Sequence, residues 1–464
     1  MMLVPRGAGL AGRRTAAGVT ARTGRARMVM LCAAALVGTA LPNGDAWAAP
    51  GARAAPASCV SSPTPTGGEA QQILDIARAA QQELDLKAVV LRVTRDGREI
   101  LTTALGTSMS GVPATADMHF RAGSVAIVYM GIAALQLVEE GRAGLDDPLS
   151  RWLPDAPHAD EITLRMLGSS TSGLRDYVPD PKFLAALYAD PFRQWTPAEL
   201  VGISASHPLL YEPGTSWSYS HANFVLLGQA LEKISGMPLA DLLDRRIMDP
   251  AGLADTRNSS TPEIQEPVLH SYDAERGRYE ESTYWNPSWT TAPGAVLNTH
   301  VCDLARSAEA VGKGELLTPA SFRTQLDPGT VGLGGRTPGC LPSECFRQLP
   351  ERHFGCGVIV QNGWIQSNPS FAGYAALQAY LPSKRLAIAV STTVGPDAPG
   401  YNTAQTIAGR IAELLAPDNS LAGAGPSTPT PPAPTPAPTP TPTPAPTPAP
   451  TPAPAPAPPG RTFG

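Results

Sequence analysis

Apolar residues in GGEAQQILDIARAAQQELD fall at Ile73, Leu74, Ile76, Ala77 and Leu84, the one-sided spacing of an amphipathic helix. Two apolar, β-branched runs follow, AVVLRVTRD and EILTTALG, which predict strands joined by a short turn at Asp96-Gly97. The next run, SVAIVYMGIAALQLVEEG, is apolar on nearly every side and predicts a buried helix closing at Gly141. Residues 155–300 alternate helical patterns with long loops. Strand patterns return in GCGVIVQNG, YAALQAYLP and LAIAVSTTV, and TAQTIAGRIAELLA predicts a closing helix. These elements assemble most simply as an α+β fold. Its antiparallel sheet is flanked by the N- and C-terminal helices and carries an inserted, mainly helical region.

Both ends depart from this pattern. Residues 1–48 read as a secretory signal peptide: an arginine-rich segment, an apolar run from Met28 to Leu41, and the small-x-small site Ala46-Trp47-Ala48. Residues 49–67 are rich in Ala, Pro, Ser and Gly and read as a flexible linker. The domain is expected over 68–416. Residues 417–464 become a Pro-Thr-Ala tract that favours extended polyproline backbone and cannot form a core, so truncation at its start is expected to leave stability almost unchanged. The expected location is therefore outside the cell, with the tail within or across a cell wall.

Charge and cysteine narrow the classes. The formal net charge is −5, and removing a leader of six arginines and one aspartate leaves about −10, a balance that does not suggest a nucleic-acid partner. No segment after the leader is apolar for long enough to span a bilayer. Outside the leader the cysteines are Cys59, Cys302, Cys340, Cys345 and Cys356. In an exported protein these are expected to oxidise, with Cys340 and Cys345 as a local loop and at least one thiol left over. The histidines share no ligand spacing with the cysteines, so neither a metal nor another cofactor is expected.

The chemistry-bearing signals come in order. FRAGSVAIVYMGIAALQLVEEGRAGLDDPLSRWLP places Ser124 just before the apolar helix. TLRMLGSSTSGLRDY, YEPGTSWSYSHANFVLLGQALEKISG and TAPGAVLNTHVCDLARSAEA follow, and a G-Y-x-x-x-x-x-Y-L-P run ends the series. Over most of residues 70–416 this order and spacing resembles the serine β-lactamase-related family: class C β-lactamases, D-alanyl-D-alanine carboxypeptidases and related esterases. The resemblance implies a β-lactamase/transpeptidase-like fold and a Ser-x-x-Lys nucleophile pair, with the serine at Ser124.

Against that pattern three positions have changed. The lysine place is Ile127. A lysine at i+3 shares the serine's helix face and, with a lowered pKa, takes its proton; isoleucine cannot. None of Lys87, Lys182, Lys233, Lys313 and Lys384 has a serine three residues before it. The family's Tyr-x-Asn reads Tyr219-Ser220-His221, keeping the tyrosine that helps shuttle protons in the family but replacing the asparagine. Ser170 stands at the histidine place of H-T-S-G-L. The third motif, Lys-Thr-Gly or His-x-Gly, aligns with Ser367-Asn368-Pro369, so a neutral serine replaces the carboxylate-holding cation and a proline replaces the glycine. His353-Phe354-Gly355 imitates His-x-Gly but falls at the start of the preceding strand.

Catalytic units fail together: losing one member typically costs on the order of ten-thousandfold in rate. The expectation is an exported, wall-associated protein with little ancestral activity, whose cleft holds a peptidoglycan-derived, small peptide or ester ligand at Ser367, Asn368 and Ser370. The alternative is an active serine hydrolase using Ser124 with His221 or Tyr219 as base, because histidine titrates near neutral pH.

Overall fold

The computed structural model describes residues 58–421. The leader expected over 1–48, the first part of the linker and most of the tail lie outside the described residues.

One large sheet organises the domain. The strands Leu86–Arg95 and Arg98–Met109 pair antiparallel, and Leu86–Arg95 continues onto Leu386–Val394. The order then runs through Tyr374–Leu381, Trp364–Ser367, Ile359–Gln361 and Arg352–Phe354. The first hairpin turns at Asp96 and Gly97, both with positive φ (56° and 72°), as a tight two-residue hairpin requires. The short strand Trp364–Ser367, which ends in the third motif, lies between the strand patterns named from the sequence.

Side-chain alternation along these strands separates two cores. Val89, Leu91 and Val93 face one way, and Ala88 and Val90 the other. The first face packs under the helices Gly68–Glu83 and Thr403–Leu415, which contribute Ile73, Leu74, Ala77, Ile407 and Ile411. A two-pronged ion pair between Arg410 and Glu83 (2.7 and 2.8 Å) joins these two helices at the surface. The second face meets the inserted helical region, centred on the helix Val125–Glu139, with twelve buried side chains or glycines along its length. That helix is clamped from outside by Gly355-Cys356-Gly357. A Cβ on Gly131 would lie 2.4 Å from the Cys356 carbonyl oxygen, so only glycine permits the crossing.

Two disulfides hold the periphery. Cys340–Cys345 closes the local loop expected from the sequence. Cys59–Cys302 ties the described part of the lead-in to the helix Val301–Gly312. Residues 58–67 are also stitched to the second strand, with Ser62 and Thr102 exchanging bonds of 2.8 Å. Cys356 is the free thiol among the described cysteines. It is buried, and burial pushes its pKa up to about 12, which keeps it protonated and inert.

The expectation that the chain becomes dispensable at Pro417 needs correction. Leu421 is fully buried in the core beneath the terminal helices. The indole N–H of Trp364 donates to Asn419 O (2.7 Å), Asn362 Nδ2 to Ser420 O (2.8 Å) and Gln405 Nε2 to Leu421 O (2.6 Å). The composition of the tract concealed a five-residue docking segment at its start. Deleting from Pro417 should therefore cost on the order of 3 kcal/mol and lower the melting temperature by several degrees. Deleting from Ala422 should move it by no more than about a degree. Thermal unfolding of the two truncations side by side checks this, and equal melting temperatures would overturn it.

Candidate active site

Ser124 stands as the N-terminal flanking residue of the helix Val125–Glu139, delivered there by the short strand Phe120–Gly123. It opens into a cleft of about 760 Å³. Ile127 lies one turn along, 2% exposed, with its side chain in the cleft wall beside the serine. Among the described residues lining this cleft none is a lysine, so no amine from elsewhere in the chain substitutes for the missing one.

Tyr219 reaches the serine. Burial pushes the Tyr219 hydroxyl well above its ordinary pKa; a hydrogen bond with Ser124 opposes this, and the Asp176 carboxylate adds to it. A phenol in this setting keeps its proton and cannot serve readily as a base.

His221 turns toward an aspartate. Its Nδ1–H donates to the Asp176 carboxylate at 3.0 Å from each oxygen, and its backbone N–H donates to Asp176 Oδ1 at 3.2 Å. His221 is the first residue of the helix His221–Ser235, so Asp176 also answers the unpaired donors and the positive end of the helix dipole. The imidazole is buried and sits among rings. Tyr219 lies edge-on at 5.0 Å, Tyr177 at 5.8 Å and Trp289 at 6.2 Å between centroids. Asp176 belongs to the TSGLRDY segment, and its role was not read from the sequence. The signal available was an aspartate immediately following a motif loop.

Asn223 anchors that loop in turn. The Ser172 hydroxyl donates to Asn223 Oδ1 at 2.5 Å, and Asn223 Nδ2 reaches Ser170 Oγ at 3.5 Å. Ser170, at the family's histidine place, adopts left-handed backbone (φ 58°) and ends the helix Leu164–Ser169.

Ser367, Asn368, Pro369 and Ser370 all border the cleft where the third motif belongs. Asn368 has its amide committed elsewhere: Nδ2 donates to Gln405 Oε1 at 3.0 Å. Asn402 Nδ2 holds the carbonyls of Asn368 and Pro369, each at 2.8 Å, and fixes the segment to the C-terminal helix. Pro369 packs against the residue before the nucleophile. A Cβ on Gly123, the residue before Ser124, would lie 2.8 Å from Pro369 Cβ. His353 borders the same cleft, but its two ring nitrogens are taken up 3.1 Å from the carbonyl oxygens of Leu349 and Leu326.

One cluster has metal-binding composition: Asp255, His300 and Asp303, whose candidate ligand atoms lie within 4.8 Å of one another. Its hydrogen bonds argue for a structural role. His300 Nδ1 accepts the Asp303 backbone N–H at 3.1 Å, capping the helix Val301–Gly312. A neutral ring must then carry its proton on Nε2, which faces Asp255 Oδ2 at 3.3 Å, leaving no free lone pair for an ion.

Two carboxyls at one end of the cleft lie outside the motifs, Asp273 and Glu275. Burial pushes both pKa values up. The Asp273 charge raises Glu275 further, while the Tyr188 hydroxyl, donating to Glu275 at 3.0 Å, opposes the rise. The folded protein thus binds these protons more tightly than the unfolded chain, so stability falls as pH rises above the ordinary Glu value of 4.5. Glu275→Gln should flatten that fall, with its melting-temperature advantage over wild type larger at pH 8 than at pH 5. Thermal scans of both proteins at these pH values measure it; parallel curves would refute the assignment.

Comparison with known proteins agrees with this fold. A family profile described as Beta-lactamase matches residues 75–412. The chain is 27% identical to "Esterase EstB" of Burkholderia gladioli over 56% of this chain and 74% of the esterase. It is 28% identical to "Penicillin-binding protein 4*" of Bacillus subtilis, over 48% of this chain and about half (51%) of that protein. Among solved structures it resembles a D-stereospecific amidohydrolase from Streptomyces sp. (TM-score 0.59, 26% identity, 74% of this chain and 99% of that one). The penicillin binding protein from Bacillus halodurans shares the fold (TM-score 0.59, 20% identity, 73% and 99% covered). With the profile spanning well over half its length, this chain belongs to the Beta-lactamase family.

Proposed function

We propose that the chain is an exported cell-envelope member of the family that binds a peptide- or ester-like ligand in its cleft, with little or no turnover by the family's serine–lysine route. The observation that carries this reading is Ile127: its buried side chain stands beside Ser124, where the resemblance calls for a proton acceptor, and no lysine lines the cleft. Pro369, packed against Gly123, adds a second obstacle, since a proline at the third motif offers a ligand no backbone N–H. The cleft itself persists, walled by Leu184, Leu187, Trp289 and Phe371. Apolar walls with a few polar groups are the usual make-up of a ligand site. Esterase, penicillin-binding and D-aminopeptidase relatives suggest the ligand class. Export rests on the leader pattern, and wall association on the Pro-Thr-Ala tract.

A fluorescent penicillin should therefore fail to label Ser124 within minutes on the purified mature chain. Stoichiometric labelling that disappears in Ser124→Ala would overturn the reading. Ile127→Lys alone should restore little, because Pro369 remains in place; labelling of that variant is the matching measurement.

The Asp176–His221 pair favours a second reading, an ester hydrolase. Asp176 holds Nδ1 of the ring and leaves Nε2 to receive a proton, the arrangement that orients a histidine base. The serine hydroxyl would have to leave Tyr219 and turn to His221, since no hydrogen bond joins Ser124 to His221 among the described residues. On this reading 4-nitrophenyl acetate is cleaved faster than in buffer, and Ser124→Ala and His221→Ala abolish the excess to a similar extent. Asp176→Asn would reduce it. No rate above buffer, or a rate indifferent to His221, leaves only the binding protein.

A further inference from the structure

Most surface arginines of the described domain meet a carboxylate, as Arg246 meets Glu140 and Arg410 meets Glu83. Three that line the cleft do not. Arg175 reaches only Gly339 O and Arg347 only Gly334 O, each at 3.4 Å. The Arg352 side chain has no hydrogen-bond or ion-pair partner among the described residues, and its Nε is buried without an acceptor. An unpaired guanidinium withdrawn from water is costly unless something anionic meets it.

A second orphan sits at the same end. Trp217 is 5% exposed and lines the cleft, and its indole N–H is buried without an acceptor. Its ring is 6.0 Å from Phe346, which precedes Arg347, and 5.8 Å from Phe354, two residues after Arg352. In the strand Arg352–Phe354 those two end residues share a face, about 7 Å apart. The Phe354 ring lies 6.0 Å from that of Tyr219, which touches Ser124. Arg352 thus lies two residues along the edge strand from Phe354, whose ring neighbours that of Tyr219. Asp273 and Glu275 occupy the far end, near Val394, where the Tyr279 hydroxyl donates to the Val394 carbonyl. Four strand spacings, roughly 19 Å, separate the strand of Arg352 from that of Val394.

We propose that Arg352, supported by Arg347, Arg175 and the Trp217 indole N–H, forms a carboxylate-binding subsite at this end of the cleft. The ligand is then an anion with an apolar body, whose charge is held on the edge strand and not at Ser367. A guanidinium and a carboxylate match in pairs of parallel hydrogen bonds. Glu344 lines the same end and Asp273 and Glu275 the other, so a singly charged group is favoured over a doubly charged one. This subsite rests on the ligand-binding reading of the cleft.

Isothermal titration of the mature full chain with N-benzoyl-phenylalanine, its amide and the corresponding phosphonate, each as both enantiomers, tests it. The acid should bind at least about tenfold more tightly than the amide, and 0.5 M salt should shrink the difference. Arg352→Gln should remove the preference while leaving the amide's affinity unchanged. If that variant unfolds, exposed Arg347→Gln should still cost the acid several-fold and the amide nothing. Equal binding of acid and amide would overturn the subsite but leave the cleft as a binding site. A phosphonate that binds more tightly than the acid would overturn the carboxylate assignment. Binding by none of the three at millimolar concentration would overturn both the subsite and the ligand-binding reading.

Discussion

Ser124 is held by the backbone with the accuracy a nucleophile needs, between a strand that ends at Gly123 and a helix that starts at Val125. The chemistry of the cleft depends on what faces that hydroxyl, and Ile127 supplies a hydrocarbon surface there. Neither a hydrocarbon surface nor a protonated phenol readily accepts the serine proton. Tyr219 shares the predicament: its pKa is raised by burial and by Asp176, with no ammonium to oppose them. One substitution on the helix thus changes the working state of a second residue that is itself unaltered.

The remaining departures look coordinated in space. Once the amine is absent, a residue at position 221 no longer needs a carboxamide to meet it, and the imidazole bonds instead to Asp176. That aspartate also caps the helix His221–Ser235, so the His–Asp pair has a structural use independent of any reaction. Pro369 fits only because residue 123 has no side chain, and its carbonyl is pinned by Asn402. The third-motif segment is thus tied to the C-terminal helix through the Asn368 side chain and two backbone carbonyls, with Pro369 packed against Gly123.

The sheet was legible because alternation over long strands is a strong signal. Leu386–Val394 and Tyr374–Leu381 pair in the order their patterns imply. The four-residue strand Trp364–Ser367 carried too little periodicity to separate from a loop. Ser124, Tyr219, His221, Ser367, Asn368 and Ser370 do converge on one cleft, since the motif order fixes which loops meet. Partners from other elements were not legible. Asp176 meets His221 across 45 residues, and Cys59 joins Cys302 across 243. Such pairs are set by how elements pack, which local patterning does not encode. Arg352 was invisible for a related reason: a lone arginine in a sequence says nothing about whether a carboxylate awaits it.

Charge distribution then separates this cleft from the one its motifs describe. In the family pattern the cation that meets a substrate carboxylate lies on the strand beside the serine, at a place now held by Ser367. Here the unpaired guanidinium of Arg352 lies on the edge strand, two strands farther out in the sheet order. A ligand whose carboxylate is held there must extend its apolar body back past Phe354 toward Tyr219. The bond placed near Ser124 is then several ångströms from the charged end. Adding a lysine at position 127 would supply a base without moving the ligand. Any reaction at Ser124 therefore depends on two separable things: a proton acceptor, and the geometry with which the charged end of a ligand is held.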